Sequence, residues 1–228
     1  DVTTLFRVTE QPLPSSKSIA DILSLTFIPE PQTLFEEIKY IEPGFLFKIT
    51  KEGSFIEKEK ILQSNKSIRF NGESIKDAVT NLDKILLKSV KSQTLSDANI
   101  GIFLSSGIDS SLLFSSLNRI KYNLACAITL SWPTNSENKD TQDEEKEASM
   151  LVRDISKTKH IEVSPPLSLR EYKDVLNYCA IEGMTDPAAL ATYYLSKIAK
   201  DNGCKVMMAG QGADEIFYGY RRHKATKI

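Results

Sequence analysis

Few histidines, an odd handful of cysteines and no surplus of either charge set the first limits on this 228-residue chain. Three cysteines, Cys126, Cys179 and Cys204, fit no zinc spacing, and their odd number fits no disulfide framework. They read as reduced, buried thiols of a cytoplasmic protein. The two histidines, His160 and His223, are read as structural or exposed groups. Lys and Arg number 29 against 30 Asp and Glu, for a formal net charge of -1. Nucleic-acid phosphates would want a basic surface, so no nucleic-acid partner is expected. No apolar run approaches the roughly 18–20 residues that span a bilayer, so no membrane partner is expected either. The first residue is Asp1, and no positive segment leading into an apolar stretch is seen, so no signal peptide is predicted. Fixed-period repeats, low-complexity tracts and a Walker A match are all lacking.

What is present is an ordinary globular composition, 41% hydrophobic and 26% charged, in a chain long enough to bury a core. Its character changes near residue 70. Before that point proline punctuates a strand-like region. Phe45–Thr50 and Ser54–Lys58 flank a Lys51-Glu52-Gly53 turn and read as a hairpin. Ser18–Leu25 reads as a short helix. From Ser74 the period turns helical: Ile75, Ala78, Val79, Leu82, Ile85 and Leu86 recur at steps of three and four. Asn99–Leu104 is an uncharged apolar run suited to a buried parallel strand. A helix from Asp109 to Leu117 follows it.

The alternation continues with a strand at Leu124–Leu130 and a polar loop over Ser131–Asp143. Glu137–Glu147 reads as a solvated acidic surface. A capping-box spacing at Thr141–Glu144 opens the next helix. His160–Val163 reads as a strand, and Ser168–Glu171 repeats the capping-box spacing before a helix through Cys179. Asp186-Pro187 is an N-cap and first-turn proline for a helix ending near Gly203. Val206–Ala209 is the last strand. Such alternation predicts an α/β fold, a doubly wound parallel sheet preceded by a small β-rich segment. The expected domains are 1–70 and 71–228.

Ligands of such sheets sit beyond the carboxyl ends of the strands, which singles out two turns. The first is Ser105-Ser106-Gly107-Ile108-Asp109-Ser110-Ser111, between a strand and a helix. Small residues let backbone N–H groups approach an anion, the helix start adds its positive end, and the serine hydroxyls add donors. Asp109 would repel a phosphate unless a divalent cation sits between them, so the turn reads as a phosphate cradle that needs magnesium. A serine-rich capping turn would fit the same residues. The second turn is Gly210-Gln211-Gly212-Ala213-Asp214-Glu215, continuing through Ile216 to Tyr220. Asp214 could place a second carboxylate on the same metal, although acids also favour the first turn of any helix. Arg221-Arg222-His223-Lys224 reads as a solvated helix end.

Together the two turns resemble the asparagine synthetase family. Leu104–Ser111 is similar to the pyrophosphatase loop of its ATP-binding domain, written SGGxDSS. Gly210–Tyr220 is similar to the family's SGEGxDExFxGY segment. Asp186-Pro187, Asp143-Glu144 with Ala148, and His160 look familial too. Pro31–Gly44 resembles the last strands of the family's glutaminase domain. The resemblance implies a pyrophosphatase-loop ATP-binding fold over 71–228 and the tail of a glutaminase-like domain and a linker over 1–70. It implies ATP-dependent adenylation of a carboxylate acceptor, release of pyrophosphate, and amide formation with glutamine-derived ammonia. By position, Leu104 and Ile128 would flank adenine. Ser105, Ser106, Gly107, Asp109, Ser110 and Ser111 would hold the phosphates, and Gly210 would lie against the nucleotide. Asp109 and Asp214 would bind Mg2+, and Gln211 and Glu215 are the catalytic candidates. The expected partners are these small molecules, with room left for a homodimer.

Ser106 replaces the first glycine of the SGG turn, which negative φ would tolerate. Gln211 stands where many members carry a glutamate proposed as base, and an amide takes no proton at neutral pH. The family's catalytic lysine and the glutaminase's N-terminal cysteine find no counterpart in the 228 residues. The chain by itself is therefore expected to bind ATP–Mg weakly at most and to make no amide. A lactam-forming or other-acceptor relative, and a non-catalytic ATP-binding or regulatory homologue, remain open at this point, as does a bare α/β scaffold.

Overall fold

The computed structural model describes residues 1–8, 12–61, 74–131, 139–165, 168–220 and 223. In chain order its elements are α1 (Val2–Val8), α2 (Ser16–Leu25), β1 (Phe45–Ile49), β2 (Phe55–Lys60), α3 (Ile75–Gln93), β3 (Ile100–Phe103), α4 (Ile108–Arg119) and β4 (Ala127–Leu130). Then come α5 (Lys139–Ile155), β5 (His160–Val163), a 3₁₀ turn at Leu169–Tyr172, α6 (Lys173–Glu182), α7 (Ala188–Asp201), β6 (Val206–Met208) and α8 (Ala213–Phe217). The chain divides into two units, one of Asp1–Gly72 with Ser168–Leu190, the other of Glu73–Leu167 with Ala191–Ile228. No described helix is long and apolar enough to cross a membrane.

The first unit has less strand than its proline-punctuated sequence suggests. β1 and β2 form an antiparallel hairpin, turned at Gly53 with φ of +85°, and the other described residues of the unit are helix and loop with isolated bridges at Pro14–Phe35 and Gln32–Lys39. Ser15 caps α2 by accepting the Ser18 N–H at 3.3 Å. A small core gathers Val2, Phe35 and Ile38. Glu182, at the end of α6, fastens it: its carboxylate accepts the Thr3 N–H and hydroxyl at 2.9 and 3.0 Å and the Tyr40 hydroxyl at 3.2 Å. Desolvation, with the nearby Glu182 carboxylate second, pushes the Tyr40 phenol up to about 12. At Ser168 the expected capping box does not form. The chain makes a 3₁₀ turn there with no side-chain cap, and α6 starts only at Lys173.

The second unit is built on a four-stranded sheet in the order β5-β4-β3-β6, every pair parallel. It is an α/β fold, preceded by a small antiparallel sheet, and the short apolar runs became its strands because both faces are covered. Alternation along β3 and β4 sorts the two layers. Ile100, Ile102, Leu104 and Ala127 pack with Val90 of α3, Phe114 and Leu117 of α4, and Ala148 and Val152 of α5. Cys126 and Ile128 pack on the opposite side with Ala199 of α7 and Cys204. Phe114 and Leu117 are 1% and 0% exposed, and side chains buried so fully contribute about 1.5–3 kcal/mol each. A Cβ at Gly101 would stand 2.7 Å from the Met207 Sδ and 3.1 Å from the Cys126 carbonyl oxygen.

Helix α3 forms as its period predicts, capped by Ser74, and is tied to α4 by a two-pronged Arg119–Asp83 pair at 2.5 and 2.8 Å. The guanidinium holds the Asp83 carboxyl below its ordinary range. Most of the helix's apolar stripe is nevertheless solvent-facing: Ile75, Val79 and Ile85 are 84, 60 and 65% exposed. Helix α5 starts at Lys139, so Thr141 lies within it and not at its start. The polar loop expected to run to Asp143, and the acidic stretch from Glu137, are thus helical from Lys139 onward; 132–138 lie outside the described residues. Asp186 does cap α7, its carboxylate accepting the Ala188 N–H at 2.8 Å.

The thiols of Cys126 and Cys204 lie 3.2 Å apart, and all three cysteines are free and buried. Burial, then the Cys204 contact, pushes the Cys126 thiol up to about 12. His160 joins β5 to β4 through a 2.8 Å hydrogen bond between its Nε2 and the Thr129 hydroxyl. Desolvation lowers its pKa below 6.5, against the opposing pull of Glu162. A histidine depressed in the folded state stabilises above its unfolded pKa and loses that contribution as pH falls through the folded value. A proton NMR titration is therefore expected to find the His160 ring neutral at pH values just under 6.5. Denaturant melts are expected to lose stability from that pH downward, with His160→Gln flattening this limb. A ring titrating at or above the ordinary value would overturn the assignment.

Candidate functional site

The strand order reverses at β3. The chain leaves β3 through α4 to β4 and β5, then returns by α7 to β6 on the other side of β3. A crevice opens beyond the carboxyl ends at such a switch point. The turns leaving β3 and β6 are the two glycine-containing motifs, so they emerge side by side at one edge.

The first turn holds its shape with its own serines. The Ser105 N–H donates to Ser110 Oγ at 3.1 Å and the Gly107 N–H to Ser105 Oγ at 3.2 Å. The two hydroxyls lie 2.9 Å apart. The Ser110 hydroxyl donates to the Ser105 and Gly107 carbonyls at 3.0 and 3.2 Å, and the Ser111 hydroxyl to the Ser105 carbonyl at 3.4 Å. These hydroxyls bond within the turn and hold its shape. The helix start is what stays open. Gly107 is the N-cap of α4 and supplies no side-chain cap, so the first-turn N–H groups of a 12-residue helix lack that partner. Their positive end suits an anion.

The second turn presses directly on this helix start. A Cβ on Gly210 would stand 2.9 Å from the Ser110 nitrogen and 3.0 Å from Asp109 Cβ. Only glycine allows the two backbones this approach. Beyond it, α8 is a single turn closed by Tyr218 in the left-handed region, φ +58°. The Gly219 N–H returns to the Asp214 carbonyl at 3.0 Å, and a Cβ on Gly219 would overlap the Asp214 carboxylate.

Between the loops lies a pocket of about 330 Å³. Ser105, Gly107, Asp109 and Ser110 line one side, and Gly210, Gln211 and Asp214 another. Phe103, Leu104, Ile128, Leu130 and Leu195 form an apolar wall, joined by Thr192. Both acids expected at a metal thus face one cavity, and Leu104 and Ile128 lie at its apolar side. Among the described residues no three His, Cys, Asp or Glu side chains converge on a metal position. A cation here would have two protein carboxylates and take its other ligands from phosphate and water, a pattern Mg2+ accepts.

Three expected residues are not in the lining. Ser106 and Ser111 fall outside it. Glu215 is exposed and accepts the Tyr220 hydroxyl at 2.7 Å. Neighbours on a helix point about 100° apart, and of the pair it is Asp214 that lines the cavity. Gln211 also borders a second cleft of about 570 Å³, lined largely by apolar residues of α3, α4, β6 and α8. Sequence reasoning missed Phe103, Leu130 and Ala209 at strand ends, and Thr192 and Leu195 on α7. The three-residue spacing of Thr192 and Leu195 marks one helical face, but nothing local says that this face meets the motif turns. Arg221, Arg222 and Lys224 lie outside the described residues, and the His223 ring packs edge-on against Tyr218 and Tyr220.

Comparison with known proteins matches residues 81–228 to the asparagine synthase family. Asparagine synthetase [glutamine-hydrolyzing] 1 of Bacillus subtilis is 29% identical over 210 residues, covering 91% of this chain and 31% of the relative. A putative asparagine synthetase [glutamine-hydrolyzing] 1 of Methanocaldococcus jannaschii is 28% identical over 173 residues, or 72% of this chain and 30% of that protein. Asparagine synthetase B of Escherichia coli is 27% identical over 174 residues, covering 68% and 30%. The chain spans about a third of the length of the curated relatives it matches. Among solved structures, the NH3-dependent NAD synthetase of Campylobacter jejuni covers 65% of this chain and 61% of its own, with a TM-score of 0.37 and 16% identity.

Proposed function

Because the chain belongs to the asparagine synthase family, we propose that it forms the nucleotide-handling part of an ATP-dependent amidotransferase. The acceptor is a carboxylate, aspartate or a relative of it, activated as an acyl-adenylate with loss of pyrophosphate. Glutamine-derived ammonia then completes the amide, in line with the glutamine-hydrolyzing relatives. On this reading 71–228 is the synthetase domain, and 1–70 is the tail of a glutaminase-like domain with its linker. The three free, buried thiols support a cytoplasmic setting.

The observation that carries the reading is the single cavity lined by both motif turns, with Asp109 and Asp214 on it. The α4 N–H groups hold phosphate oxygens, and the serine lattice keeps them aimed without rearrangement on binding. Gly210 gives the ligand access to the Ser110 N–H. Phe103, Leu104 and Ile128 offer apolar surface to a base. Asp109 and Asp214 hold Mg2+, which when bound offsets charge on the departing pyrophosphate. Gln211, on the cavity wall, orients the acceptor by hydrogen bonding and takes no proton at neutral pH.

Calorimetric titration of the chain with ATP tests the reading. Weak binding is expected with Mg2+, and Asp109→Ala is expected to reduce the affinity at least tenfold, about 1.4 kcal/mol. Affinity indifferent both to Mg2+ and to this substitution would leave the cavity a structural feature and overturn the proposal.

A further inference from the structure

At the opposite edge of the same sheet, before the amino ends of β4 and β5, lies a cavity of about 460 Å³ that the proposed reaction does not use. The connection from α4 to β4 supplies Lys121 and Asn123 to it, and the connection from α5 to β5 supplies Ser156, Lys157, Thr158 and Lys159. Three lysines line it, and no carboxylate does. The Lys159 ammonium is steadied by a neutral group, the Asn202 side-chain oxygen at 3.0 Å, which leaves its charge uncompensated. Lys121 and Lys157 form no ion pair among the described residues. The Thr158 N–H and the hydroxyls of Ser156 and Thr158 form a tight local cluster, with the two hydroxyls 2.6 Å apart.

Lys121 carries a second signal. It sits in the left-handed region, φ +56°, at the position following helix α4 where the Lys121 N–H returns to the Asn118 carbonyl and the Tyr122 N–H to the Leu117 carbonyl. This helix ending favours glycine, since any Cβ is strained there. A lysine at a glycine position, lining a concavity with two more lysines, is a local conflict of the kind that accompanies function. Attraction to the negative end of α4 offsets part of the strain at Lys121, and Lys157 and Lys159 likewise follow the end of α5.

We propose that this cavity binds a phosphoryl dianion, from inorganic phosphate or from a small phosphate ester, at a site separate from the nucleotide cavity. Three ammonium groups supply the charge, and the Asn123 side chain on the lining adds a polar group. The cavity volume leaves room beside the phosphoryl group for the organic part of an ester.

The test follows amide NMR shifts of the whole chain during titration with inorganic phosphate and, in parallel, with ribose 5-phosphate. Shifts are expected at residues 121–125 and 156–159, and their relative affinities tell the free ion from the ester. The triple variant Lys121→Glu, Lys157→Glu, Lys159→Glu is expected to lose them entirely. Lys121→Gly is the control for folding: it relieves the backbone strain, so its Tm is expected to rise while phosphate affinity falls several-fold. Shifts confined to residues 105–111, or shifts at the lysine cavity that survive charge reversal, would overturn the proposal, as would the lack of any shift at 10 mM ligand, a concentration on the order of the weakest useful binding. Because the readout is local to this edge, it stands or falls independently of the nucleotide reading.

Discussion

Gly210→Ala is expected to cost the protein both its nucleotide affinity and a measurable part of its stability. The added Cβ would meet the Ser110 nitrogen at 2.9 Å and Asp109 carbon atoms at 3.0 and 3.1 Å. Two of those atoms belong to backbone at the start of a helix, so neither can swing aside as a side-chain tip would. Overpacking of this kind costs about 1–3 kcal/mol, and the accommodation open to the fold is separation of the two motif turns. Separation takes the Gly210–Asp214 side of the cavity away from the α4 N–H groups. Urea melts should show the lower midpoint, and calorimetry should show ATP–Mg affinity reduced at least tenfold, about 1.4 kcal/mol. Gly203→Ala separates the two effects. Gly203 also has positive φ, +77°, but a Cβ there meets nothing within 4 Å, and it precedes β6 rather than following it. It should lose stability and keep its nucleotide. Equal ATP binding by the two variants would show that the close approach at Gly210 has no bearing on the ligand.

Gly219→Ala is expected to act in the reverse proportion, with little change in folding and a large change in metal dependence. Here the atom in the way is the far end of a side chain, the Asp214 carboxylate, which can rotate to make room. Gly219 itself is exposed, so the melting midpoint should move by no more than an exposed substitution usually causes, about 0.5 kcal/mol. The rotated carboxylate no longer faces the cavity. The gain in ATP affinity on adding Mg2+ should then fall to the level of Asp214→Asn. If Gly219→Ala keeps the full gain, either the carboxylate relaxes without leaving the cavity or it holds no metal. Asp214→Asn, measured beside it, tells these apart.

The two predictions draw on different parts of what a sequence can say. That Asp109 and Asp214 each follow a strand and open a helix was legible from local pattern, because a short uncharged run followed by small residues and an acid has few other uses. That the two acids share a cavity depends on β6 returning beside β3 rather than beyond β5, which parallel strands leave open. The serine hydroxyls show the same divide. Residue type marks them as donors, yet Ser105 and Ser110 bond to each other and to their own turn, and the start of α4 has no side-chain cap. The capping boxes at Thr141 and Ser168 failed for a similar reason: their spacing is a local preference, and α5 begins ahead of the first while a 3₁₀ turn takes the second.

By itself the sequence determined the strand–helix alternation, the cysteine chemistry, the two motif turns and the family resemblance they carry. All of these reside in neighbours along the chain, where periodicity and side-chain type act directly. Tertiary structure alone decided strand order, the pressing of Gly210 on Asp109 and Ser110, the entry of Thr192 and Leu195 into the cavity wall, and the gathering of Lys121, Lys157 and Lys159 at the far edge. Each of these joins residues distant in sequence, and such contacts are chosen by which layers can bury one another's apolar faces, a choice no single segment makes.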